Sequence, residues 1–231
     1  MTLAVGVVVP VADEAERLGR CLRHLAEARA QLLRMRSDAT VRFVVVLDSC
    51  RDASERIATA FAGVETIRID ARCVGSARRT GADHLLSGVH APERVWLANT
   101  DADSCVPRDW LVGMVEEAAH GADLVLGTVT PGPGLLPDVA AAWQANHLQR
   151  EGHPHVHGAN FGVRGDVYLR LGGWPELRSG EDVALAARAE SAGDLRIIRT
   201  ARLPVRTSTR LQARAPYGFS SYLRGLASPE S

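Results

Sequence analysis

"WLANTDADSC", residues 96–105, is an apolar run that ends in two aspartates. Trp96 to Ala98 reads as a strand leaving the core, and Asp101 and Asp103 follow two apart. An extended backbone points such residues the same way. Like charges that close resist full ionisation unless something positive lies between them. The stretch therefore sets two expectations: a strand buried in a sheet, and a site at its carboxyl end that holds a positive group.

The same alternation extends outward on both sides. "LAVGVVVP" (3–10), "VRFVVVL" (41–47), "VETIRI" (64–69), "RVWLANT" (94–100) and "ADLVLGTV" (122–129) read as strands, the first β-branched and unbroken as in a buried parallel sheet. After the first strand, Leu18, Cys21, Leu22, Leu25, Ala28 and Leu32 recur at helical spacing. Asp52 with Glu55 reads as a capping box, a helix is expected from about Ser76, and Pro107 suits the first turn of the helix after the fourth strand. Strands alternating with helices imply parallel pairing through right-handed crossovers.

Beyond residue 130 the pattern changes. "PGPGLLP" (131–137) breaks the chain before an apolar helix over Val139 to Leu148, and "EGHPHVHGAN" (151–160) is polar and His-rich. "FGVR" (161–164) is a short strand, Gly172, Gly173 and Pro175 form a tight loop, and a helix starts near Glu181. The fold class expected is α/β: one Rossmann-like domain with a central, mostly parallel sheet flanked by helices. Residues 1–130 are expected to form a nucleotide-type half and 131–212 a smaller half that completes a cleft (the nucleotide-sugar-binding and the acceptor and catalytic halves that the family resemblance below implies), with 213–231 a C-terminal tail.

Composition narrows the class. A hydrophobic fraction of 46% with 23% charged residues is that of a globular chain, and a formal net charge of zero advertises neither nucleic acid nor membrane. All 27 basic residues are arginine, so no lysine is available as Schiff base or phosphate anchor. Cys21, Cys50, Cys73 and Cys105 contain no CxxC pair, which argues against a zinc site or disulfide framework built on them. Leu3 to Val11, the longest apolar stretch, is too short for a membrane span and has no basic region before it. The expectation is a reduced, cytoplasmic protein without a transmembrane segment.

Ligands of open parallel sheets bind beyond the carboxyl ends of the strands. Four polar clusters fall there: Asp13 with Glu14, Asp48, Arg72 to Arg79, and Asp101 with Asp103. A DxD pair can simply cap a turn; its chemical alternative is a divalent metal shared with a diphosphate. Glu181 and Asp182 fit a capping box with Ser179, and also a general base held at a helix start. His153, His155 and His157 read as a solvated loop, with His157 as a possible-ligand candidate for metal or diphosphate. Arg206, Arg210 and Arg214 are either a solvated strand edge or a guanidinium fork over a diphosphate. Trp174 reads first as core.

Taken in order, "VVVPVADEAERLGRCL", "VVVLDSCRDAS", "GSARRTGAD", "ANTDADSCVPRDWL", "GANFGVRGDVYLRLGGWPEL" and "GEDVALAARAE" resemble a family 2 glycosyltransferase of the GT-A fold over residues 3 to 192. The resemblance implies that Pro10 to Glu14 and Asp48 hold the nucleotide, that Arg78 lies near the donor, and that Asp101 and Asp103 form the DxD, with Asp103 the direct metal ligand. It implies Asp182 as the base that deprotonates the acceptor hydroxyl, with Glu181 beside it, and Asn160 and Trp174 on the acceptor side. The cofactor implied is Mn²⁺ or Mg²⁺, and the donor a UDP- or GDP-sugar. The chain departs from the pattern at Asp13 (usually Asn), Leu47 (usually Asp) and Arg79 (usually Asn), all in the base-recognition segments. No processive QxxRW signature is present, so transfer of one sugar to an unidentified hydroxyl acceptor is expected, with inversion ahead of retention. A nucleotidyltransferase and a non-catalytic nucleotide-sugar-binding protein remain alternatives. A Rossmann dehydrogenase lacks its GxGxxG after the first strand.

Overall fold

The computed structural model describes residues 4–147 and 149–209. Its centre is a seven-stranded sheet of β1 (Ala4–Val11), β2 (Thr40–Asp48), β3 (Val64–Ile69), β4 (Val95–Asn99), β5 (Leu124–Pro131), β6 (Phe161–Arg164) and β7 (Ile197–Thr207). The order is β3-β2-β1-β4-β6-β5-β7. β6 runs antiparallel to β4 and β5, and every other pairing is parallel. The expected α/β class with a mostly parallel sheet is present, and the short "FGVR" strand is its one reversed member.

Among the described residues seven α-helices flank the sheet: α1 (Ala15–Met35), α2 (Ser54–Thr59), α3 (Val74–Leu86), α4 (Trp110–Ala119), α5 (Pro137–Asn146), α6 (Gly165–Arg170) and α7 (Glu181–Ala192). The continuous apolar run of β1 is needed because both faces are covered. Val7 and Val9 pack with Leu18, Leu22 and Leu25 of α1 and Trp110 of α4, while Val8 joins Ala82 and Leu85 of α3 and, further along the layer, Leu185 of α7. The apolar stripe read on α1, from Leu18 to Leu32, is buried along its length.

Two capping boxes expected from sequence do not form. Asp52 instead serves two helix starts: its Oδ1 accepts from the Ser54 N–H (2.9 Å) and its Oδ2 from the Ala15 N–H (2.8 Å). Glu55 pairs with Arg68 across the surface. At α7 the residue before the helix is Gly180 with φ 77°, and Ser179 caps nothing there. Pro107 lies in the turn before α4, accepting from the Trp110 N–H, rather than inside its first turn. β7 was read from sequence only in part, as a strand edge at Arg206; it pairs with β5 through a register shift between Gly127 and Val129.

Close approach at Gly75 joins α3 to the segment that leads into α7. The Gly75 N–H donates to the Leu177 carbonyl (3.0 Å). A Cβ there would stand 2.0 Å from the Pro175 oxygen and 2.7 Å from the Leu177 nitrogen. Gly19 on α1 is the opposite case, with the Ile57 Cγ2 at an ordinary 3.7 Å. Gly75→Ala is expected to cost about 1–3 kcal/mol, lowering Tm by roughly 2–4 °C per kcal/mol in a chain of this size. Gly19→Ala should raise Tm, through a gain of about 0.4–1 kcal/mol from the less flexible unfolded chain. Melting both variants by circular dichroism checks the pair of signs.

Candidate active site

The carboxyl ends of β1, β2, β3 and β4 open into one cavity of about 1370 Å³. Pro10, Asp13 and Glu14 line it from β1, Asp48 from β2, and Asp101 and Asp103 from the loop after β4. The start of α7 contributes Glu181 and Asp182, and His147, His155 and His157 line the cavity as well. Residues read separately along the chain are thus brought to one place.

Carboxylates build the loops that follow β1, β2 and β3. Asp13, Ser49 and Arg72 have φ of 52°, 55° and 49°, left-handed conformations that non-glycine residues seldom adopt. Such conformations persist where neighbours over-determine them. Asp13 Oδ1 accepts from the Arg51 and Asp52 N–H groups (2.6 and 3.1 Å). Asp48, 5% exposed, accepts from Ala71, Arg72 and Cys73 at 2.9, 2.8 and 2.7 Å. Asp48 therefore shapes the wall of the cavity with both oxygens already engaged by backbone.

The positive group beside the aspartate pair is a guanidinium. Arg78 is 2% exposed; its Nη2 donates to Asp101 Oδ1 (2.6 Å) and its Nε to Glu181 Oε1 (3.0 Å). Its Cζ lies 5.4 Å from the Trp174 ring centroid. Burial alone pushes the Arg78 pKa down, but Asp101, Glu181 and Asp182 outweigh it and hold it above the ordinary arginine value. Burial pushes Glu181 up, against the pull of Arg78 and with the push of Asp182. Glu181 is a buried ion-pair partner, which leaves Asp182 as the carboxylate at the cavity wall.

The aspartate loop is tied down by β7. Cys105 N–H donates to the Arg206 carbonyl (2.7 Å), Arg206 N–H returns to Cys105 (3.1 Å), and Ser104 Oγ donates to Thr207 Oγ1 (3.0 Å). Cys21 Sγ donates to the Asp101 carbonyl (3.3 Å). Asp103 lines the cavity and accepts from the Ser104 and Thr207 hydroxyls at 3.4 and 3.5 Å. Its donors are hard oxygens, which fit Mg²⁺ or Mn²⁺. Asp182 Oδ2 accepts from the Gly158 N–H (2.7 Å) and Oδ1 from Val183 (2.8 Å), which aims the carboxylate without consuming it.

Other expected site residues lie elsewhere. Trp174 is fully buried against Phe161 and presents no face to an acceptor, because α6 and α7 need its volume in the core. Asn160 is 2% exposed; it accepts from Trp110 Nε1 and donates to the Thr128 and Leu203 carbonyls, stitching β5 to β7. Arg206 is on β7 with its side chain exposed and outside the cavity wall. Arg210 and Arg214 lie outside the described residues. Cations that do line the cavity are Arg51, Arg72 and Arg178. Arg51 and Arg178 were missed from sequence, because each sits in a loop without periodicity. Thr207 and Ser208 also line it, at the end of β7.

A Rossmann-like sheet with a DxD loop at its fourth strand and a carboxylate-bearing helix start opposite defines the GT-A class of nucleotide-sugar enzymes. The family model for glycosyl transferase family 2 matches residues 6–166, and the chain belongs to that family. No curated protein matches the chain. Among solved structures it is similar to a mannosyltransferase from Pyrobaculum calidifontis, in complex with GDP-Man and Mn²⁺: 20% identity, TM-score 0.64, covering 94% of this chain and 59% of that one. It is similar too to glucosyl-3-phosphoglycerate synthase from Mycobacterium tuberculosis, in complex with Mn²⁺, UDP and phosphoglyceric acid. That likeness has 15% identity and TM-score 0.58, covering 97% of this chain and 77% of the other. A 4-diphosphocytidyl-2C-methyl-D-erythritol synthase matches at 16% identity and TM-score 0.55, covering 98% of this chain and all of its own. At these identities the likenesses show the fold. Among the described residues no helix is long and apolar enough to cross a membrane.

Arg78→Met removes the partner of a buried carboxylate, a change that costs about 3–5 kcal/mol. Glu181 then loses the largest influence that lowers its pKa, so its folded value rises further above the ordinary 4.5. A raised carboxylate pKa means stability falls as pH rises past the unfolded value. The deficit of the variant should be larger at pH 8 than at pH 5. Urea unfolding at the two pH values measures it; an equal deficit at both contradicts the pairing.

Proposed function

We propose that the chain transfers one sugar from a nucleoside-diphosphate donor, UDP- or GDP-linked, to an acceptor hydroxyl with inversion at the anomeric carbon. The observation that carries this reading is that Asp103 and Asp182, from different elements of the fold, line one cavity. The volume, about 1370 Å³, exceeds the roughly 300–1,000 Å³ of ordinary small-molecule sites and suits a donor and an acceptor together. A divalent cation, Mn²⁺ or Mg²⁺, would be held by Asp103 with Asp101 beside it, and when bound supplies Lewis acidity to the departing diphosphate.

The protein's own groups supply the rest. The loops set by Asp13 and Asp48 form the nucleotide wall, and Arg51, Arg72 and Arg178 present guanidinium groups to a diphosphate. Arg78 neutralises Asp101 and positions Glu181, which keeps two neighbouring acids from competing for one proton. Asp182, aimed by the Gly158 and Val183 amides, accepts the proton from the acceptor hydroxyl as it attacks. Attack from the Asp182 side, opposite the leaving diphosphate, inverts the anomeric carbon.

A nucleotidyltransferase shares the fold, but the loop after β1 is acidic at Asp13 and Glu14 rather than basic. The two reactions differ in product: nucleoside diphosphate here, pyrophosphate there. With a donor found by thermal-shift screening of UDP- and GDP-sugars with Mn²⁺ or Mg²⁺, Asp182→Asn should lower turnover by about 10²–10⁴-fold with donor affinity kept. Retention of most of the rate would remove Asp182 from the mechanism. Asp103→Ala should abolish the extra stabilisation that metal adds to donor binding in the same assay.

A further inference from the structure

His147, at the end of α5, and His155 and His157, in the loop before β6, come from segments separated by a break in the helix, yet each offers a ring nitrogen within 4.8 Å of the others. Among the described residues they form the one group of three close metal-ligating side chains; the aspartate pair does not make a second. The rings are packed rather than solvated. His147 is 7% exposed and stacks on Trp143 (4.6 Å between centroids) and His155 (3.8 Å). The Nε2 atoms of His147 and of His157 are buried and make no hydrogen bond within the protein. Leaving two buried ring nitrogens without a partner costs on the order of 1–3 kcal/mol each, so a polar loop read as solvated is an expensive way to fill a wall.

We infer that His147, His155 and His157 form a second metal site, distinct from the aspartate pair, that takes a borderline transition ion of the Zn²⁺ class through three neutral imidazoles. Imidazole donors select Zn²⁺, Ni²⁺ or Cu²⁺ over the Mg²⁺ and Mn²⁺ that carboxylates prefer. A tetrahedral ion with bonds of about 2.0–2.1 Å asks for donor separations of roughly 3.3–3.4 Å and for in-plane lone pairs that converge, so His155 turns out of its 10° stack on His147 when an ion binds. Burial and the neighbouring histidines push His147 down to about 4 and His157 down to about 3, so both rings are neutral, the ligating form, at physiological pH. Three ligands leave a fourth position, and all three residues line the cavity that Asp182 also lines. His157 directly precedes Gly158, whose amide aims Asp182. An ion here would place a Lewis-acidic position on the acceptor side of the cavity, where a ligating oxygen or nitrogen of an acceptor could bind. The site stands on its own donors and does not depend on which reaction the cavity performs.

The test uses untagged full-length protein, stripped with chelator and then held in excess Mg²⁺ to occupy the aspartates. Co²⁺ is titrated in while its visible d–d absorption is followed, and Zn²⁺ is used to displace it. One equivalent of tetrahedral Co²⁺ is expected, displaced stoichiometrically by Zn²⁺. Loss of an outer-shell partner alone weakens a metal by about 10–100-fold, so His147→Asn and His155→Asn, each confirmed folded by its melting curve, should weaken Co²⁺ by at least tenfold. Asp103→Ala should bind Co²⁺ as the parent does. Absence of the signal, or full affinity in both histidine variants, overturns the site. Loss of binding in Asp103→Ala overturns its distinctness from the donor metal.

Discussion

The structure turns on the buried guanidinium of Arg78. It lies between Asp101 of the aspartate loop and Glu181 at the start of α7, and so joins the two sides of the cavity by one side chain. A buried arginine is tolerable only with its charge matched, and a buried glutamate likewise. Each is therefore held where the other is. The consequence is a division of labour within two acidic pairs. One member of each, Asp101 and Glu181, is spent on Arg78, and the other, Asp103 and Asp182, remains directed at the cavity.

The fold makes that arrangement possible through its one reversed strand. β6 enters between β4 and β5, so the loop before it, with His157 and Gly158, arrives at the same edge as the carboxyl ends of the parallel strands. The Gly158 amide then meets Asp182. β7 completes the floor by pairing with β5 and tethering the aspartate loop through Cys105 and Ser104. Three non-glycine residues in left-handed conformations, Asp13, Ser49 and Arg72, stand at three successive strand ends. Backbone amides donated to Asp13 and Asp48 hold those loops in shape. The cavity wall at those three strand ends is thus fixed by backbone hydrogen bonds to carboxylates.

Much of this was legible from sequence because burial leaves long signals. An unbroken β-branched run such as Val5 to Val9, with polar residues at each carboxyl end, admits few readings, and the strands and the main acidic clusters follow from it. What was not legible depends on partners far apart in the chain. Asp52 and Asp182 look like local caps, since spacing cannot reveal that their oxygens are claimed by Ala15 and Gly158. Trp174 and Asn160 sit in motif-bearing segments, yet tertiary packing turns both inward. Arg78 was marked as close to a donor, but its pairing with Glu181 spans 103 residues. The alternation of His153, His155 and His157 was visible, whereas His147 belongs to a helix and joins them only in three dimensions.

The most direct measurement is anomalous diffraction from crystals grown with Mn²⁺ and UDP. The account predicts an anomalous peak within bonding distance of the Asp103 carboxylate and of the diphosphate, with Asp101 still in contact with Arg78 and Asp182 facing the same cavity. A manganese peak away from Asp103, or Asp182 turned out of the cavity when the nucleotide is bound, would contradict it.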